Sequence, residues 1–205
     1  MNERINENSW IPLIIVVCAS FILVLDSLFM NVSVSRIVFD LNTDVSTIQM
    51  LVSFNTLITV ALILLSTKLQ DIVGKKKLFL IGIALFCIGT FTAAISSSVI
   101  MFFVGWSAIK GVAGALMLPA IVSIISGTYS SKRRTIALAI LGIVVGLADT
   151  FAPLLGGVIT THFSWRYTFA FELIFIFFIL LMQNTIPNFK PTESKRFGYY
   201  GCYNF

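Results

Sequence analysis

Six long apolar stretches, separated by short polar breaks, run through the chain. By residue number they are 11–34, 46–67, 78–95, 100–125, 136–159 and 167–186. At 1.5 Å per residue each is long enough, as a helix, to cross a hydrocarbon core about 30 Å thick. Apolar and polar positions do not alternate with period two inside them, so membrane helices are indicated rather than barrel strands. Trp10 and Pro12 suit an interfacial helix start. Asn42 to Ser46 reads as a turn and helix cap, Ser96-Ser97-Ser98 as a tight turn, and Pro187 as the stop of the sixth stretch. The pattern predicts an all-α integral membrane protein with a polar segment 1–10, a six-helix bundle 11–186 and a polar tail 187–205.

Composition strengthens this picture. Of 205 residues, 58% are hydrophobic and 11% charged, and the mean hydropathy is +0.97. A soluble domain carries roughly 25% charged residues, so lipid is the expected solvent. The net charge of +5 does not point to nucleic acid, because the basic residues form clusters between apolar stretches rather than one patch. Cys18 and Cys87 lie in apolar runs and Cys202 in the tail, with no metal-ligand or disulfide spacing. Asp26 interrupts the first stretch and no small-residue cleavage site follows, so it reads as a span rather than a signal peptide. There is no catalytic constellation, no phosphate-binding glycine loop and no cofactor motif.

Charge also orients the chain. One set of breaks holds Lys68, Lys75, Lys76 and Lys77, then Lys132, Arg133 and Arg134, with Arg4, Lys190, Lys195 and Arg196 in the termini. The other set holds Arg36 and Arg166. Basic residues collect on the cytoplasmic side, so both termini are expected there, in a plasma membrane. An even number of spans satisfies that expectation.

The candidate chemistry lies in four ionisable residues within the spans: Asp26, Lys110, Asp149 and Glu172. A charge at the bilayer centre costs about 2.5–3.5 kcal/mol or more, so such groups face a cavity or a partner. An acid moved out of water holds its proton more tightly, which suits exchange of a proton for a cationic substrate. Each residue has a plainer reading as well. In that reading Asp26 is a structural partner of Asn31, Asp149 an acid beside the Pro153 kink, and Glu172 a wet residue near the outer mouth. Lys110 either neutralises one of the acids or stands apart. Gly142, Gly146, Gly156 and Gly157 suit close helix packing. His162, Trp165 and Tyr167 read as interfacial residues, and Trp106 as packing.

Five stretches resemble the major facilitator superfamily. Residues 68–78 form a lysine-rich cassette in which Leu69, Asp71, Gly74, Lys75 and Lys76 match the family's loop signature between helices 2 and 3. Thr67 stands in place of its first glycine, and Ile72 in place of an arginine. Leu25, Asp26, Asn31 and Val32 resemble a span-1 signature of the fourteen-helix drug:proton antiporter branch. Gly111, Ala115 and Pro119 resemble the span-4 signature, with Lys110 in place of glutamine and Ser107 in place of an arginine. Gly142, Gly146, Pro153, Gly156 and Gly157 resemble the span-5 antiporter signature, and Trp165, Arg166 and Phe169 the opening of span 6.

The resemblance implies one half of a transporter, built as two inverted three-helix repeats. That half would exchange protons for lipophilic or cationic drugs, with Asp26, Asn31, Lys110, Asp149 and Glu172 as proton or substrate candidates and the cassette as a conformational gate. Its partners would be the bilayer, a small-molecule substrate, protons, and a C-terminal half or second chain following the tail. An inactive half, a subunit of a split transporter and a metabolite uptake carrier are the alternatives. Asp71 is expected to find no partner outside the six spans.

Overall fold

The computed structural model describes residues 10–186. The expectations for Arg4, Cys202, Pro187 and the tail lie outside them. Helix α1 runs Ile11–Asp40, α2 Val45–Val73, α3 Lys75–Ala94, α4 Val99–Thr128, α5 Ser131–His162 and α6 Arg166–Met182. Five of these are long and apolar enough to span a membrane. Helix α6 has 17 residues, about 26 Å of rise, and the 3₁₀ turn Gln183–Thr185 extends it.

The helices outrun the apolar stretches. Helices α1, α2 and α5 hold 30, 29 and 32 residues. Arg36 and Asp40 lie inside α1 rather than in a loop, and Lys132, Arg133 and Arg134 lie in the first turn of α5. Leaving the hydrocarbon does not end a helix, because lysine, arginine and glutamine are good helix formers. The cassette is therefore helical on both sides of one residue. Gly74, with φ 97° and ψ 143°, separates α2 from α3, and glycine adopts that backbone without a Cβ penalty. The expected turn before α2 is present. Asn42 takes a positive φ of 48°, and the Asp44 carboxylate caps α2 by accepting from the Thr47 amide at 2.8 Å. Hydrogen bonds from Ser46 and then Thr47 hold the exposed Asp44 carboxyl below its usual range.

Packing follows an exchange between the two halves of the bundle. Helix α1 packs mainly on α5, and α4 on α2 and α3. Helix α6 closes against α3 and α1. At the basic end, Trp10 stacks on Tyr129 and Lys76 donates to the Ile186 carbonyl at 2.6 Å. At the opposite end, the Asp40 carboxylate accepts from the Trp165 indole at 2.8 Å and from Arg166 at 3.2 Å. Arg166 also donates to the Ser96 carbonyl at 2.9 Å. Three interhelical joins are tied there by one acid and one cation. Trp165 is only 1% exposed, so it is a core residue and not part of an interfacial belt. Tyr167 and His162 are exposed, as expected.

Gly74→Ala is expected to lower stability by about 1–3 kcal/mol, the usual cost of a side chain in a strained backbone region. Thermal unfolding of the detergent-solubilised chain measures this, and an unchanged midpoint would show that the joint rearranges freely.

Candidate functional site

Lys110 sits at mid-height in the bundle and is 2% exposed. Its ammonium lies 2.5 Å from Asp26 Oδ1 of α1 and 2.8 Å from Glu172 Oε2 of α6. Asp26 Oδ1 also accepts from the Trp106 indole at 3.0 Å, and Glu172 Oε2 from the Thr90 hydroxyl at 3.4 Å. Glu172 is fully buried, and its Oε1 has no hydrogen-bond partner among the described residues. The rings of Phe86 and Phe169 lie 4.3 and 5.0 Å from the ammonium, within cation–π range. Two carboxylates thus share one cation. A full set of charges leaves one negative charge in an apolar surround, where each unpaired ion costs several kcal/mol.

Local sequence explains how Lys110 reaches this place. Residues Phe103–Ile109 of α4 are wound as a π-helix. Trp106, on the last turn before Lys110, meets the same carboxylate oxygen. Gly89 of α3 lets the lysine stem pass, because a Cβ there would lie 2.6 Å from Lys110 Cγ and 2.7 Å from the Gly105 carbonyl. On α2, Asn55 donates to the Trp106 carbonyl at 2.9 Å. The Thr59 hydroxyl lies 3.0 Å from the Gly111 carbonyl.

A cleft of about 390 Å³ opens beside the cluster, lined by Asp26, Ser27, Asn55, Thr59, Lys110 and Asp149 among others. Of the sequence candidates, Asp26, Lys110 and Glu172 are in direct contact, and Asp149 of α5 shares the cleft from an exposed position. Asn31 does not join them. It is exposed and donates to the Ser27 carbonyl on its own helix at 3.0 Å, so it is not the partner of Asp26. Five residues along a helix turn a side chain about 140° away. The reading of Glu172 as a wet residue at the mouth also fails, since α3 and α4 close over it.

The other motif residues lie elsewhere. Leu69, Asp71, Gly74, Lys75 and Lys76 stand at the basic end, where Lys75 reaches the Ser123 carbonyl at 3.5 Å. Asp71 is exposed, with no hydrogen bond or ion pair among the described residues. On α5, a Cβ on Gly142, Gly146 or Gly157 would meet nothing within 4 Å, whereas one on Gly156 would lie 2.8 Å from the Phe29 ring. Only Gly156 of these four glycines packs closely within this chain. Pro153 lies inside α5. Trp106, Thr90, Asn55 and Asp40 were not singled out for these contacts by sequence reasoning. A polar indole or amide inside a span is a weak signal for Trp106 and Asn55, and Thr90 and Asp40 carry none.

Known proteins bear on this arrangement. A family described as Major Facilitator Superfamily matches residues 16–196. The chain is 28% identical over 191 residues to "Riboflavin transporter RibZ" of Clostridioides difficile (strain 630), covering 93% of this chain and 41% of that protein. It is 32% identical over 117 residues to "Multidrug resistance protein 3" of Bacillus subtilis (strain 168), covering 55% of this chain and 23% of that protein. A crystal structure of the peptide transporter POT in complex with sulfate superposes with a TM-score of 0.75 at 20% identity, over 84% of this chain and 37% of that one. The chain spans about two fifths of the riboflavin transporter's length.

Two outcomes are expected at this site. Lys110→Met, which leaves two buried carboxylates facing each other, should cost about 3–5 kcal/mol. Adding Asp26→Asn and Glu172→Gln to it should restore most of the loss in denaturant unfolding of the detergent-solubilised chain. Gly89→Ala should cost about 1–3 kcal/mol by overpacking, while Gly142→Ala should be neutral or gain up to about 1 kcal/mol of helix propensity. Equal effects of the two alanines would contradict the packing described here.

Proposed function

Because the chain belongs to the major facilitator superfamily, we propose that it supplies one six-helix half of a membrane transporter that exports lipophilic or cationic small molecules in exchange for protons. The observation that carries this reading is the pair of buried carboxylates sharing Lys110 beside the cleft. With both acids ionised the cluster holds one excess negative charge. A proton on Asp26 or Glu172 removes that excess, and so does a cation bound in the cleft. Each therefore disfavours the other, which is the requirement for exchange. Asp149 supplies a second carboxylate on the cleft wall, where a cationic substrate would meet it.

A second six-helix unit is part of this proposal, since the fold class works by moving two bundles around a shared midplane site. The outward faces of α2 and α5 suit such contact, their most apolar windows being only 11% buried. The lysines and arginines of the basic end support a cytoplasmic position for it and for both termini. Without its complement the chain would be an inactive half. A second reading, carriage of a metabolite, is favoured by the 28% identity to a riboflavin transporter.

The test uses everted membrane vesicles holding the chain with its complementary unit. Adding ethidium should release protons from loaded vesicles, and Asp26→Asn combined with Asp149→Asn should abolish that release. Release that survives both substitutions removes these acids from the exchange. Competition by riboflavin but not by ethidium would favour the metabolite reading.

A further inference from the structure

The π-wound segment of α4 has a specific set of restraints. On its N-terminal side it is fixed by close packing: a Cβ on Gly105 would lie 2.9 Å from the Ala93 amide nitrogen and 3.1 Å from the Gly89 carbonyl. Within the segment, Ser107 donates to the Leu51 carbonyl at 2.9 Å. On its C-terminal side Gly111 packs closely on α2, where a Cβ would lie 3.1 Å from the Asn55 carbonyl and from the Ile58 side chain, and hydrogen bonds from α2 add to this contact. Asn55 donates to the Trp106 carbonyl, and Thr59 shares its proton between the Asn55 and Gly111 carbonyls at 2.9 and 3.0 Å. Gly111 and Gly114 follow with no side chains. The far end of α4 is anchored separately, where Gln70 of α2 donates to the Ser123 hydroxyl at 2.8 Å.

A π turn has poorer winding than an α turn and persists where surrounding contacts favour it. Such a turn can move along a helix without rotating either end. A residue that it passes turns by about 100°, the rotation per residue of an α-helix. Close packing bounds this segment at both Gly105 and Gly111, and a turn that shifts toward Gly111 has one residue to pass before reaching it. The first residue in the path is Lys110.

We propose that the wide turn Phe103–Ile109 is the moving part of the site, and that Asn55 and Thr59 are the positioning residues that hold it where Lys110 meets Asp26 and Glu172. Passage of the turn by one residue toward Gly111 withdraws Lys110 from both carboxylates while the rest of α4 stays packed. This gives the cluster a way to exchange its cation without separating α1 from α6. The purpose assigned to the motion rests on the exchange reading above, but the motion itself is read without any transport.

Acetic anhydride labels unpaired lysine amines, and mass spectrometry counts the product at Lys110 against the exposed Lys132. In membrane-embedded chain, Asn55→Val should raise Lys110 labelling about tenfold, the shift in population that one buried hydrogen bond is worth. Thr59→Val should act in the same direction and serves if the first variant does not fold. Hydrogen–deuterium exchange should quicken across 105–111 and remain unchanged across 115–128. Wild-type labelling of Lys110 in both variants overturns the proposal. So does exchange that quickens along all of α4, because Asn55 would then only hold the helix in place. Vesicle proton release can fail while this labelling succeeds, and the reverse, so the two readings are separable.

Discussion

A lysine ammonium in an apolar interior must have its charge answered, and much of this bundle is arranged to answer it. Asp26 comes from α1, Lys110 from α4 and Glu172 from α6, so the cluster joins the first helix of each triplet to the last. The stem of Lys110 crosses α3 only because position 89 is glycine. Its head lies beside two aromatic rings that exclude water and still favour a cation. Removing any one charge leaves the others unbalanced in a medium that solvates them poorly. The cluster is thus a constraint on the packing of three helices and, in the proposed exchange, the group that responds to a proton.

The contact pattern supports a two-part internal plan. Helix α1 leans on α5 as α4 leans on α2, and α3 meets α4 as α6 meets α1. Each triplet therefore completes the other, and neither has a closed interior by itself. The charges do not follow this plan. The lysines flank the join of α2 with α3, whereas Lys132, Arg133 and Arg134 follow the join of α4 with α5. Backbone architecture obeys the repeat, and the basic residues obey the membrane side.

Much of the fold was legible because lipid imposes length and apolarity on every span. The six helices and the turn at Asn42 to Asp44 could be read directly. Helix ends could not, since hydropathy reports where lipid stops and not where the hydrogen-bond ladder stops. Lys68 and Gln70 continue α2 until Gly74 interrupts it. In the site, the cost of an intramembrane charge singled out Asp26, Lys110 and Glu172, but not who pairs with whom. Lys110 lies 84 residues from Asp26 and 62 from Glu172 in sequence, and only packing joins them. The π turn had no visible sequence signal. Gly105, Asn55 and Thr59 look ordinary until their carbonyl and amide partners are seen.

The tie at Asp40 has a mechanical consequence. Trp165, Arg166 and Ser96 gather three hairpin tips on one carboxylate and one guanidinium, so a displacement of any one tip is shared by the others. At the basic end Lys76 reaches the Ile186 carbonyl, Gln70 the Ser123 hydroxyl, and Arg134 the Ser126 and Tyr129 carbonyls. A small angular change at the Asp40 knot is therefore carried along all of these helices together, to the end of the bundle about 30 Å away across the hydrocarbon.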